Sequence, residues 1–152
     1  MAHTGAFEGV IADPLPGRTA KPRTQGETMV IDKGLGLSAT SDLLEMASDY
    51  IDYIKLTFGT AGLYSTALLK AKVTLIRSYG IAVYPGGTFL EVAWLQGKVA
   101  SYLERAHVLG FTHIEMYEAS VPSGPPVEGG GDSFWRMTFR YAIRRRTGLT
   151  TG

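Results

Sequence analysis

Three strand-like runs begin 30 residues apart, at Ile51, Ile81 and Phe111, with helix-compatible stretches between them. The runs are IDYIKLTF, GIAVYPGG and GFTHIEMY, and a fourth, TMVIDK at 28–33, precedes them. Strands that alternate regularly with helices pair in parallel, so the repeat predicts β-α units on one sheet. The functional face of such a sheet lies at the strand C-termini, where Lys33, Lys55 and Glu115 fall. The register stops after Glu118.

The segments between the strands carry their own signals. Ser41 is a plausible N-cap for a short helix over 41–48, ahead of Leu43, Leu44 and Met46. Leu68, Leu69, Val73 and Ile76 recur at helical spacing within 65–78, and Gly80 ends that helix. The stretch 89–109 reads as helical, interrupted around Gly97 and closed by Gly110. Residues 1–27, with Pro14, Pro16, Gly17, Pro22 and Gly26, show no period and read as an extended, partly mobile arm.

Side chains alternate along a strand, which sorts these residues into two faces. Val30, Ile54, Leu56, Ala82 and Ile114 are expected to face the helices. Met29, Ile31 and Lys33, then Ile51, Tyr53 and Lys55, then Phe111, His113 and Glu115 share the other phase. That face is apolar low down and charged at its downstream lip, as the inside of a β/α barrel requires.

At 152 residues, 45% hydrophobic and 19% charged, the chain suits one globular unit with a core. A net charge of +1 gives no global pull toward nucleic acid or acidic membranes. The absence of cysteine excludes disulfides and thiolate metal sites and suits a reducing compartment. No signal-peptide pattern and no run of about 18 apolar residues occurs, so a cytoplasmic protein is expected.

TMVIDKGLG, YIKLTFGT, YPGGTFLE and GFTHIE, in this order and with KPRTQG upstream, resemble the N-terminal half of the phosphosulfolactate synthase family over about residues 21–116. The resemblance implies a (β/α)8 TIM-type barrel, of which about four parallel β-α units are present. It implies addition of sulfite to phosphoenolpyruvate with Mg2+, giving phosphosulfolactate, a step of coenzyme M synthesis.

The residue types suit that chemistry. Two anions must be brought together, which calls for fixed positive charge from Lys33, Lys55 and magnesium. Attack of sulfur on C3 leaves negative charge at C2, spread into the carboxylate. Magnesium on Glu91 or Glu115 could stabilise it, and a lysine could then protonate C2. Lys55 is assigned the proton and Lys33 the anion, with the reverse left open; the amides of Gly86, Gly87 and Thr88 are assigned an oxyanion. Simpler roles compete: Lys33 and Lys55 as surface cations, Glu91 as an early-helix acid, Tyr53, His107 and His113 as packing residues.

Gly34-x-Gly36-x-x-Ala39 follows a strand and precedes a helix, which raises a nucleotide-binding alternative. Against it, the following helix is short and no acid ends the second strand.

From Met116 onward the resemblance is lost. Residues 119–152 read as a linker rich in proline and glycine over 120–133, then a basic amphipathic helix over 134–146. Trp135, Phe139, Ala142 and Ile143 form its apolar stripe beside Arg136, Arg140 and Arg144. An interaction protein acting through this tail is a third reading, although contact with nucleic acid or membrane is not expected; a non-native tail is favoured. The domain division is therefore arm 1–27, partial barrel 28–118 and tail 119–152. A closed barrel needs about 250 residues, so a truncated member is expected, its activity left open, with homo-oligomerisation through exposed sheet edges as a further expectation.

Overall fold

Parallel pairing runs through the sheet. The strands β1 (Met29–Asp32), β2 (Tyr53–Leu56) and β3 (Ala82–Pro85) lie in that order, with Met29 opposite Tyr53 and Lys55 between Ile31 and Tyr84. Beside β3 lies β4 (His113–Met116), and Thr112 joins the two. Its amide donates to the Val83 carbonyl at 2.9 Å, and its hydroxyl accepts from the Val83 amide at 2.8 Å. The computed structural model describes residues 6, 7, 9–12, 17–57, 59–116 and 140–143.

Four helices follow the strands: α1 (Leu37–Ala47), α2 (Thr66–Ser78), α3 (Gly87–Leu95) and α4 (Val99–Leu109). The chain thus repeats β-α units on a parallel sheet, consistent with a partial TIM-type fold. Ser65 caps α2, its hydroxyl accepting from the Leu68 amide at 3.2 Å. The first helix starts at Leu37, four residues before the expected Ser41, because Gly36 takes the N-cap position. Ser41 is an interior residue whose hydroxyl reaches Glu45. The expected interruption at Gly97 separates α3 from α4.

The core lies between the sheet and the helices. Ile54, Leu56, Val83 and Ile114 meet Leu69, Val73 and Ile76 of α2 and Leu103 and Ala106 of α4, all buried. Each such side chain contributes about 1.5–3 kcal/mol through burial. Ala82 departs from expectation. It pairs with Tyr53 and so shares the inner phase, while Val83 takes the helix-facing position. On the inner face Tyr53, Tyr84 and His113 make edge-on or tilted ring contacts at 5.5–6.5 Å.

The last turn of α4 ends on Gly110 at φ 88°, a left-handed conformation. A Cβ there would stand 3.3 Å from the Arg77 guanidinium and 3.4 Å from Val73. Gly110→Ala is expected to lower stability by about 1–2 kcal/mol through the backbone alone, to be read from urea midpoints.

Residues 17–27 form no regular element, yet Arg18 and Arg23 pin them. Arg18 donates to Thr28 Oγ1 at 2.8 Å and to the Tyr50 carbonyl at 2.9 Å, and Arg23 pairs with Asp52 at 2.9 Å. Downstream, β5 (Arg140–Ile143) pairs in parallel with β4, His113 opposite Arg140. These four residues were expected in the amphipathic helix over 134–146 and are instead a strand, since the open edge of β4 offers backbone partners. The linker and the rest of the tail lie outside the described residues. Among the described residues, no helix is long and apolar enough to cross a membrane.

Candidate active site

Lys55 of β2 and Glu115 of β4 are 60 residues apart in the chain and meet inside the fold. The Lys55 ammonium lies 2.6 Å from Glu115 Oε2 and 2.8 Å from Oε1, and both side chains are about nine-tenths buried. The Gly87 amide, first in α3, donates to Oε2 at 2.8 Å. A buried ion pair persists only when its remaining lone pairs are satisfied. Gly87 meets that need, and the positive end of α3 adds to it. Both charged residues are third in their strands, toward the C-terminal ends, as the alternation implies.

The other predicted residues gather less tightly. Lys33 is exposed just past the end of β1. The Gly86 amide donates to the Leu56 carbonyl at 2.8 Å, and that of Gly87 to Glu115. An amide has a single hydrogen, so the oxyanion cradle expected from Gly86 and Gly87 is corrected: both donors hold the protein itself. Thr88 is exposed at the second position of α3.

Glu91 is half-buried, one turn along α3 from Gly87. Glu115 already accepts from Lys55 on both oxygens and from the Gly87 amide on Oε2, so its charge is met by an ammonium. No group of three acidic or histidine side chains among the described residues could hold a metal. The donors as arranged do not form a metal pocket, and no step below runs through one.

A second buried pair was missed. Asp32 at the end of β1 binds Lys72 of α2 at 2.6 Å, with side chains 2% and 0% exposed. Its other oxygen accepts the Gly34 and Leu35 amides, each at 2.8 Å. Lys72 also donates to the Leu35 carbonyl at 2.5 Å and to the Tyr64 hydroxyl at 3.0 Å. The β1–α1 loop is thereby drawn onto α2. The Gly34 and Leu35 amides point at Asp32, which leaves neither for the phosphate that the nucleotide reading needs. A signal existed: Lys72 interrupts the apolar stripe of Leu69, Val73 and Ile76.

Two buried hydroxyls near Glu115 and Lys55 also escaped notice. Those of Thr57, two residues beyond Lys55, and of Tyr102 on α4 find no hydrogen-bond partner among the described residues. Burial, and next the charge of Glu115, hold the Tyr102 pKa above the ordinary tyrosine value, so this hydroxyl keeps its proton.

Parallel β-α units with a buried lysine–glutamate pair toward the strand C-termini define a protein of the parallel α/β class, consistent with a partial TIM-type fold. Residues 16–123 match the family model of (2R)-phospho-3-sulfolactate synthase (ComA), and the chain belongs to that family. It is 44% identical over 106 residues to a phosphosulfolactate synthase of Methanothermobacter thermautotrophicus, covering 70% of this chain and 41% of the relative. With that of Methanocaldococcus jannaschii it shares 38% over 96 residues, 63% of this chain and 38% of the relative. With that of Bacillus subtilis the identity is 35% over 108 residues, 71% and 42%. The chain spans about two fifths of the length of the curated relatives it matches.

Proposed function

We propose that the chain carries phosphosulfolactate synthase chemistry, with Lys55 as the proton donor. The observation that supports this most is the Lys55–Glu115 pair, buried inside the family-matched region and fixed by Gly87. The sulfite sulfur lone pair forms a bond to C3 of phosphoenolpyruvate. The C2–C3 π electrons move to C2 and into the carboxylate, and C2 then takes one proton. No group leaves, so one sulfite, one phosphoenolpyruvate and one proton give one phosphosulfolactate.

The Lys55 ammonium beside Glu115 supplies both electrostatic attraction for two anions and the proton. Lys33, exposed at the lip of β1, is positioned to draw anions in. Tyr102 and Thr57 are reserve donors once Lys55 has given its proton.

The test is phosphoenolpyruvate consumption by purified, folded protein, with and without sulfite and with and without magnesium, in D2O. The expected product carries one deuterium at C2. Folded protein that consumes no phosphoenolpyruvate under any of these conditions would refute the reading.

A further inference from the structure

The opposite end of the sheet holds charge that the sulfite chemistry does not use. A cavity of about 420 Å3 lies at the N-terminal ends of β2 and β3, with Lys21, Arg23, Glu27, Asp52, Tyr53 and Tyr79 on its walls. The Lys21 ammonium is shut off from solvent and has no hydrogen-bond partner among the described residues. Three acids lie nearby: Asp52 and Asp49 both favour the Lys21 charge, and Glu27 lines the same cavity. Asp52 gives one oxygen to Arg23 at 2.9 Å and the other to the Thr28 amide at 2.8 Å, and Glu27 accepts from the Tyr53 hydroxyl at 3.2 Å.

Arg23 is itself almost wholly buried, its side chain 4% exposed. Its Nε donates to the Thr19 carbonyl at 2.7 Å, one terminal nitrogen to Asp52, and the other to the Asp49 carbonyl at 2.6 Å. A guanidinium has five hydrogens, so two remain beyond these three bonds. Two cationic groups and two carboxylates thus line one cavity; Asp52 and Glu27 already accept hydrogen bonds from Arg23, Thr28 and Tyr53, and the Lys21 ammonium has no hydrogen-bond acceptor among the described residues. Burial, the largest influence, holds the Lys21 pKa below the ordinary lysine value; Asp52 opposes that shift and Arg23 adds to it.

We propose that this cavity binds a small oxyanion, which accepts hydrogen bonds from the Lys21 ammonium and the remaining Arg23 hydrogens. A buried charge is stable when paired and costly when alone. The anion supplies the missing partner, and it does so at the strand N-termini, away from Lys55. The site is independent of the sulfite reading, because it shares no residue with the Lys55–Glu115 pair.

Thermal unfolding in rising inorganic phosphate, against chloride at matched ionic strength, tests this. Wild-type Tm is expected to climb with phosphate and not with chloride, since a ligand that binds only the folded state stabilises it. Lys55→Met combined with Glu115→Leu, which removes the active-site cation without stranding a buried charge, should show the same phosphate shift, which keeps this site distinct from the proposed active site. Lys21→Met should weaken phosphate binding at least tenfold. Its Tm without phosphate should equal or exceed that of the wild type, because methionine fills the space without a lone buried charge. A phosphate shift absent from the wild type, retained in full by Lys21→Met, or abolished in the folded Lys55→Met, Glu115→Leu double variant overturns the proposal. So does a Lys21→Met protein that is less stable than the wild type, or unfolded, without anion, since Lys21 would then be an ordinary partner of the neighbouring carboxylates.

Discussion

Lys72→Met is expected to lower the unfolding free energy by about 3–5 kcal/mol, the cost of stranding one member of a buried ion pair. Asp32 is 2% exposed and would keep only the Gly34 and Leu35 amides. The lost bonds to the Leu35 carbonyl and the Tyr64 hydroxyl would loosen the same loop. Removing both charges, as in Asp32→Leu with Lys72→Met, should recover part of the loss. Recovery stops short because the Gly34 and Leu35 amides would lose the carboxylate that shapes their loop, although both residues are exposed and can bond water instead. Urea unfolding of the two single variants and the double gives the coupling directly. A single Lys72→Met variant within about 0.5 kcal/mol of wild type, the usual range for surface substitutions, would mean that the pair is not buried as described.

The sequence made the β-α order readable because hydrophobic period survives without tertiary information. Each of β1 to β4 was found within two residues of its bounds, whereas β5 was read as helix, and the break at Gly97 stood where a lone glycine divides two helical stretches. Phase was harder. AVYP is four residues long and apolar or aromatic throughout, so alternation cannot say which of Ala82 and Val83 faces the helices; the Tyr53 to Ala82 register decides it. Serine at 41 looked like a cap because its side chain suits that role, yet Gly36 starts the helix with no side-chain cap bond.

Site residues divide in the same way. Lys55 and Glu115 were each visible as charges in otherwise apolar strands, but their union depends on β2 and β4 converging at the end of α3. Asp32 was passed over because it falls in the helix-facing phase, and its partner lies 40 residues on, inside a helix. The glycines at 86 and 87 looked like free donors. Only the fold shows that the strand end at Leu56 and the carboxylate of Glu115 consume them. What sequence alone cannot supply is the list of donors already in use.

The strongest effect on chemistry is expected at Lys55. Lys55→Met should reduce sulfite-dependent turnover by about 10²–10⁴-fold, the usual contribution of a positioned proton donor. It should also destabilise the fold by about 3–5 kcal/mol, because Glu115 would be buried with the Gly87 amide as its remaining partner within this cluster. Activity lost through unfolding must therefore be separated from activity lost through chemistry. Lys55→Arg does this: the guanidinium retains the charge opposite Glu115 but does not release a proton in the working pH range. Its stability should stay closer to wild type than that of Lys55→Met, while turnover falls as far. Lys55→Met combined with Glu115→Leu supplies the complement, since replacing both members of a buried pair is often neutral for stability. That double variant should regain much of the lost stability and none of the turnover. Wild-type rates from Lys55→Arg would assign the proton elsewhere, with Tyr102 and Thr57 the nearest buried hydroxyls to examine. Slow turnover with unchanged stability in every Lys55 variant would instead show that Lys55 acts in the reaction without being the buried partner that holds Glu115 in place.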